Sequence, residues 1–342
     1  MALDSFHAQL GAYRDATLAR LLAAVPEREP QRHLYGPLSS YRSGTGKGIR
    51  PALCLATCRS FGGDATRAVA SATAIEMLHN AFLVHDDVED ESDLRRGQPT
   101  LHAEHGVPIA VNAGDMLTAL SIQMLRDNLP ALGVPLTWRV YDEFEHLMQE
   151  SLEGQAMELG WVRENRCDLA DEDYLRMVLK KTCWYSFIHP CRIGALIATN
   201  DGIDLDRFNR FGSYLGTAFQ VQDDLLNLTG DQRRYGKEIG GDLLEGKRTL
   251  MLLHVLRNLG AADRDRVKDF LGQPRAARSM RDAQWILGLM RTHGSLDHAR
   301  AAARQLAGAA SFEFARAFGD VPDSDEKSFL AHVVSYMVSR DV

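Results

Sequence analysis

Asp86 and Asp90 stand at i and i+4 in the stretch IEMLHNAFLVHDDVEDESDLRRGQPT (75–100), with Asp87 between them. On a helix both outer carboxylates project the same way. Unpaired carboxylates that close repel and raise each other's pKa. A hard divalent cation between them reverses the balance, because Mg2+ takes oxygen ligands. Arg95 and Arg96 follow at once, and guanidinium groups hold phosphate oxygens of the kind such a metal bridges. A second cluster, FQVQDDLLNLTGD (219–231), repeats the geometry: Asp223 and Asn227 lie at i and i+4, with Gln220 a turn earlier. A solvated acidic helix end accounts for either cluster alone. Two of them, each ending an apolar run, suggest helices facing each other across a cavity. Apolar walls with metal-binding carboxylates at the mouth suit an amphiphile, its tail inside and its charged head at the rim.

The elements that must position these clusters read as helices, and no period-2 strand stands out. Residues 4–25 are an amphipathic helix stopped by Pro26 and Pro30. The turn GTGKG (44–48) precedes a helix with Pro51 in its first turn, closed by Gly62 and Gly63. The central helix spans about 65–90, followed by helices at 108–128 and from about Thr137 to Val162. Residues 171–200 are helical, with a kink or restart expected at Pro190. Another apolar helix occupies 204–230, and the charged loop YGKEIGGDLLEGKR (235–248) leads to a helix at 249–259. The remainder, 262–340, alternates short helices and polar turns. Without a repeat or linker, the expectation is one all-α domain over residues 1–342, a helical bundle around a central cavity.

Composition narrows the function. A chain of 342 residues that is 45% hydrophobic and 25% charged is an ordinary soluble globular protein. Its net charge of −7 argues against nucleic-acid partners. Cys54, Cys58, Cys167, Cys183 and Cys191 form no zinc pattern and read as reduced core thiols of a cytoplasmic protein. The N-terminal stretch has no signal-peptide character, and no run approaches the ~20 apolar residues of a spanning helix.

The cations sharpen the picture. Lys47 and Arg50 lie in GTGKGIRP; no strand precedes that turn and Gly48 follows the lysine, so a nucleotide-binding phosphate loop is not expected. With Arg95, Arg96, Lys180, Lys181, Lys237, Lys247 and Arg248 they are spread over several loops and helix ends. Each alone is an ordinary surface cation. Beside two acidic sites they read as clamps for more than one polyphosphate group.

GKGIRP, LVHDDVEDESDLRRGQPT, GQAMEL, KKT, FQVQDDLLN and GKEIGGDLLEGKRT follow one another over about residues 40–250. In that order and spacing the chain resembles the trans-isoprenyl diphosphate synthases, most closely the short-chain, geranylgeranyl diphosphate type. The resemblance implies an all-α isoprenoid-synthase helical bundle, a homodimer and three Mg2+ ions, with isopentenyl diphosphate and an allylic diphosphate as substrates. It implies Asp86, Asp87, Asp90, Asp223 and Asn227 as metal residues, the outer pair Asp86 and Asp90 serving the allylic diphosphate. Arg95 would hold the allylic diphosphate and Arg96 reach the homoallylic one, whose site Lys47, Arg50 and His79 complete. Lys181, Thr182 and Gln220 surround the allylic diphosphate and the proton-abstraction region, while Lys237 and Lys247 close over the leaving diphosphate. The glycines of 236–248 make that segment a plausible lid. Cations fixed at the leaving group stabilise ionisation, and exclusion of water protects the carbocation. The released diphosphate then takes the proton.

Two departures qualify the resemblance, and one further position bears on product length. Asn227 stands where many members have a third Asp, and a weaker or water-mediated metal contact is expected. Cys183-Trp184-Tyr185 replaces a Gly-containing segment, with Trp184 and Tyr185 read as core side chains. Phe82, one turn below Asp86, with the small Ala81, suggests a partial floor that favours geranylgeranyl diphosphate, then farnesyl diphosphate. A terpene cyclase of the same fold and a non-catalytic subunit of a heteromeric synthase stay open as rivals. Lys47, Arg50, His79 and Arg96 argue against the cyclase, which needs no second diphosphate site.

Overall fold

The structure is a computed structural model that describes residues 3–41, 46–230 and 239–338. In chain order the helices that build and back the site are α1 (Leu3–Ala24), α2 (Ile49–Ser60), α3 (Val69–Glu89), α4 (Val107–Arg126), α5 (Leu129–Arg163), α6 (Asp171–Val178), α7 (His189–Thr199), α8 (Asn209–Thr229), α9 (Gly241–Glu245), α10 (Leu250–Asn258), α11 (Ser295–Ala317) and α12 (Asp325–Val338). The all-α expectation holds. Asp64 starts the central helix: its side chain accepts from the Thr66 amide at 2.9 Å and sets a 3-10 turn, Ala65–Ala68, that runs into α3. The helix lies side by side with α4, as α2 does with α7 and α8 with α11.

Two details depart from the sequence reading, each for a local reason. Leu94–Arg95 and Gln98–Pro99 form a two-residue antiparallel pair, with Leu94 opposite Pro99. Arg96 (φ 54°) and Gly97 (φ 75°) make the turn, and two positive φ angles are what the tightest hairpins require. Strands that short show no alternation to read. The helix expected from about Thr137 begins earlier, because the chain breaks at Gly133 (φ 73°) and Pro135 then occupies a first-turn position.

Pro190 does restart a helix, and its effect reaches upstream. It lacks the N–H that would reach the Ser186 carbonyl four residues back, and its ring crowds that oxygen. The ten residues before α7, Leu179–Ile188, are π-helical, with the His189 amide donating to Trp184 five residues back. Such segments recur where a helix must present unusual side chains. This one carries Lys181, Thr182 and Tyr185. Its far end is pinned by Glu143 of α5, which is buried and accepts from Arg192 Nε at 2.6 Å and His189 Nδ1 at 2.8 Å. Burial pushes that carboxyl up, but the Arg192 and His189 hydrogen bonds outweigh it and bring it to about 2.

Two apolar clusters flank the segment. The larger gathers α1 to α5 with Phe187, Phe211 and Leu215. The second joins Trp161, Tyr174, Cys183, Ile188, Val221 and Leu225 to α9, α10 and the first half of α11. The π-helical segment and α8 contribute to both, and the cavity opens along that seam.

Candidate active site

A cavity of about 610 Å³ lies between the C-terminal ends of α3 and α8, with α5 and the π-helical segment as side walls. Asp86 and Asp223 reach it from the two facing helices, as expected from their spacing. Locally this is an unfavourable place for acid, because a helix C-terminus carries partial negative charge. Cations from elsewhere in the chain offset it. Asp86 accepts from Lys181 Nζ at 3.0 Å, Arg95 Nη2 at 3.2 Å and Gln155 Nε2 at 3.4 Å. Lys247 Nζ lies 2.6 Å from Asp90 and 2.8 Å from Glu245. Burial pushes the Asp90 carboxyl up to about 7 against the pull of Lys247. Lys181 is also bound by Glu158 at 2.5 Å. Burial alone would lower its ammonium; Asp86 and Glu158 outweigh that and hold it above its ordinary value.

The second cluster is a hydrogen-bonded chain. Thr182 Oγ1 donates to Gln220 Oε1 at 3.0 Å, and Gln220 Nε2 donates to Asp224 Oδ1 at 2.8 Å. Tyr174, buried on α6, donates to Asp224 Oδ2 at 2.8 Å. These bonds fix Asp224 beside Asp223, and both carboxylates lie on the cavity wall.

At the other end of the cavity sits a pocket of cations with one carboxylate near them, Glu76, which burial pushes up against the pull of Arg50 and Arg96. Arg50 donates from Nε to Ser186 Oγ at 3.1 Å and from Nη2 to the Tyr185 hydroxyl at 3.0 Å. A Cβ on Gly46 would lie 2.8 Å from Arg96 Nη2, so that glycine admits the guanidinium. Lys47 is exposed at the rim, its Nζ 5.6 Å from the Tyr336 ring centre. Burial, then the charges of Arg50, Arg96 and Arg95, push the His79 imidazole well below its usual range, so it is neutral at pH 7. Phe82, Leu83, Phe187 and Phe219 supply apolar wall between the two charged ends.

Most of the expected site residues converge on this cavity: Asp86, Arg95, Arg96, Lys47, Arg50, His79, Phe82, Lys181, Thr182, Gln220, Asp223 and Lys247 all line it. Lys237, and with it the first part of the expected lid, lies outside the described residues. Asp87 and Asn227, both expected as metal residues, are not on the cavity lining. Asp87 is 1% exposed and accepts from Arg95 Nε at 2.8 Å. Asn227, also 1% exposed, takes the Asp242 amide on Oδ1 at 3.1 Å and the Gly240 amide on its backbone carbonyl at 2.8 Å. Arg248 is buried and donates to Arg166 O at 2.8 Å and Asn165 Oδ1 at 2.7 Å. Lys180 is held by Glu150 and Glu153 instead of the cavity. The sequence reading missed Gln155, Glu158, Tyr174 and Glu245. Gln155 and Glu158 sit in the GQAMEL motif at i and i+3, a signal that was available.

The donor set fits Mg2+. Asp86, Glu89, Gln155 and Asp223 present hard oxygen atoms to one space, with phosphate-binding cations around them. Among the described residues, no three acidic, histidine or cysteine side chains converge on one point. Lys181 and Lys247 stand between the carboxylates as counter-ions.

The polyprenyl synthetase family profile matches residues 31–289. A geranylgeranyl diphosphate synthase of Sulfolobus acidocaldarius is 36% identical over 68% of this chain and 70% of its own length. An octaprenyl diphosphate synthase of Haemophilus influenzae is 31% identical over 95% and 92% respectively. Among solved structures, the geranylgeranyl pyrophosphate synthetase of Pyrococcus horikoshii superposes with a TM-score of 0.85 at 29% identity, covering 98% of this chain and 99% of that one. The geranylgeranyl pyrophosphate synthase of Corynebacterium glutamicum, complexed with isoprenyl diphosphate and magnesium, gives 0.85 at 25%, covering 99% and 100%. The bundle is that of the isoprenoid synthases. No helix among the described residues is long and apolar enough to cross a membrane.

Proposed function

The chain belongs to the polyprenyl synthetase family and is a trans-prenyltransferase, and we propose that it joins isopentenyl diphosphate to an allylic diphosphate, with geranylgeranyl diphosphate as the favoured product and farnesyl diphosphate as the second candidate. The observation that carries this reading is a cavity with two cationic ends of different character. At one end Arg95, Lys181 and Lys247 are paired with carboxylates; at the other Arg50 is held by neutral hydroxyls. The first end suits a diphosphate that arrives with metal, the second a diphosphate that arrives without it.

Asp86, Asp90 and Asp223 are the residues proposed to hold Mg2+, three ions by family likeness. Bound there, the ions supply electrostatic stabilisation of charge developing on a leaving diphosphate. With those carboxylates neutralised, Lys181, Lys247 and Arg95 would donate to phosphate oxygens. Arg50, Arg96 and Lys47 orient the second diphosphate, and neutral His79 adds a hydrogen bond without adding charge. Phe187, Phe219 and Leu83 exclude water from the reacting carbons. A cyclase has no use for the second pocket. The proposed assembly is a homodimer, supported by exposed Val107, Val111 and Ile122 along α4 and Val134 and Trp138 at the start of α5.

Diphosphate release measured with an allylic substrate tests the reading. Release is expected only when Mg2+ and isopentenyl diphosphate are both present. Release without isopentenyl diphosphate would identify a cyclase. Relatives differ in product length, so length rests on this chain's own wall. Phe82 lines the cavity one turn below Asp86, about 6 Å deeper, while Ala81 is buried in the core. Phe82→Ala is expected to shift the main product up by at least one five-carbon unit on chromatography. An unchanged distribution would remove Phe82 from the floor.

A further inference from the structure

Tyr185 occupies the joint between the second diphosphate pocket and the hydrocarbon wall. The side chain was expected in the core, yet it is half-buried and on the cavity surface. Its hydroxyl accepts from Arg50 Nη2 at 3.0 Å, and the neighbouring Ser186 accepts from Arg50 Nε at 3.1 Å. Consecutive residues of the π-helical segment thus fix two edges of one guanidinium. Among the described residues Arg50 makes no ion pair, whereas Arg95 lies against two carboxylates. The difference has a chemical consequence. A carboxylate partner cancels the charge it orients; a hydroxyl orients it and leaves the positive charge for an incoming anion.

The ring of Tyr185 serves the other side of the joint. It meets Phe82 edge to face, centroids 5.5 Å apart at 87°, and lies 5.8 Å from the His79 ring. Edge-to-face pairs hold one another in place. Phe82 is the proposed floor, so the residue that aims Arg50 also braces the wall that limits chain growth. The geometry points to Tyr185 as a positioning residue that couples recognition of isopentenyl diphosphate to product length. Tyr185 follows Lys181 by one turn of the same segment, and both side chains reach the cavity.

This inference rests on the proposed condensation, and the test separates the two. Steady-state kinetics and product chromatography are run on wild type, Tyr185→Phe, Tyr185→Leu and Tyr185→Met. Tyr185→Phe keeps the ring and removes the acceptor. It is expected to raise KM for isopentenyl diphosphate about tenfold, far more than it changes KM for the allylic diphosphate or kcat, with product length retained. Tyr185→Leu and Tyr185→Met remove the ring as well, and whichever folds should show the same KM rise and a longer product. An unchanged isopentenyl diphosphate KM in Tyr185→Phe overturns the inference, as does unchanged product length in the ring-deleted variants. Wild-type protein that consumes no isopentenyl diphosphate defeats the proposed function and this inference together.

Discussion

Asp86→Asn is expected to lower kcat by about a thousandfold or more while leaving the melting temperature within a few degrees of wild type. The two halves of that expectation have separate causes. Asp86 meets Lys181, Arg95 and Gln155 at once, on the cavity wall, where a diphosphate and its counter-ions would lie. An amide there keeps the volume and loses the charge, so divalent cations lose a ligand and the leaving group loses its electrostatic support. The fold has little at stake. Lys181 keeps Glu158 at 2.5 Å, and Arg95 keeps Asp87 at 2.8 Å, so neither cation is left buried and alone. Diphosphate release and a thermal melt on the same preparation check both halves. Turnover within tenfold of wild type would remove Asp86 from the metal site; a large fall in melting temperature would reassign it to structure.

Much of this site was legible because it depends on direction along a helix. Asp86 and Asp223 face a shared cavity as their spacing and apolar lead-in require, and Arg50, Arg95 and Arg96 gather there too. What spacing does not carry is depth. Asn227 shares a face with Asp223 but lies one turn on and is 1% exposed, its side-chain oxygen taken by the Asp242 amide and its backbone carbonyl by the Gly240 amide. Asp87 shows the same limit. Between Asp86 and Asp90 it looked like a ligand, yet its rotation about the helix carries it under Arg95. Pairings across the chain were also hidden. Lys181 with Asp86 and Lys247 with Asp90 join distant segments, and only the packed bundle chooses between several acids of equal chemistry. The π-helical segment concealed most. Its aromatic residues Trp184 and Tyr185 read equally well as core side chains, and only the packed bundle puts Tyr185 on the cavity wall.

That same segment is held by close backbone contact, and Gly154→Ala is expected to break the hold. Gly154 of α5 faces the π-helical segment so closely that an added Cβ would lie 2.2 Å from the Lys181 amide nitrogen and 2.6 Å from its Cα. The clash is with backbone, which cannot swing aside as a flexible side chain could. From the opposite side α8 approaches through Gly212, whose Cβ would lie 2.9 Å from Ile188 N and Cα, and through Gly216, 3.0 Å from Cys183 Cα. The segment is gripped on both sides and has no direction in which to yield. Alanine ordinarily favours a helix over glycine by about 1 kcal/mol, so the substitution would stabilise α5 if the contact were loose. Overpacking typically costs about 1–3 kcal/mol and occasionally more, and an immobile backbone places this position at the upper end. Any relief must come from moving Lys181 and Thr182 away from Asp86 and Gln220, by hydrogen bonds now 3.0 Å long. Gly154→Ala should therefore lower both the melting temperature and kcat, the latter by about tenfold or more for a shift near 1 Å. A melting temperature at or above that of wild type, with normal turnover, would show that α5 and the catalytic segment are not in backbone contact.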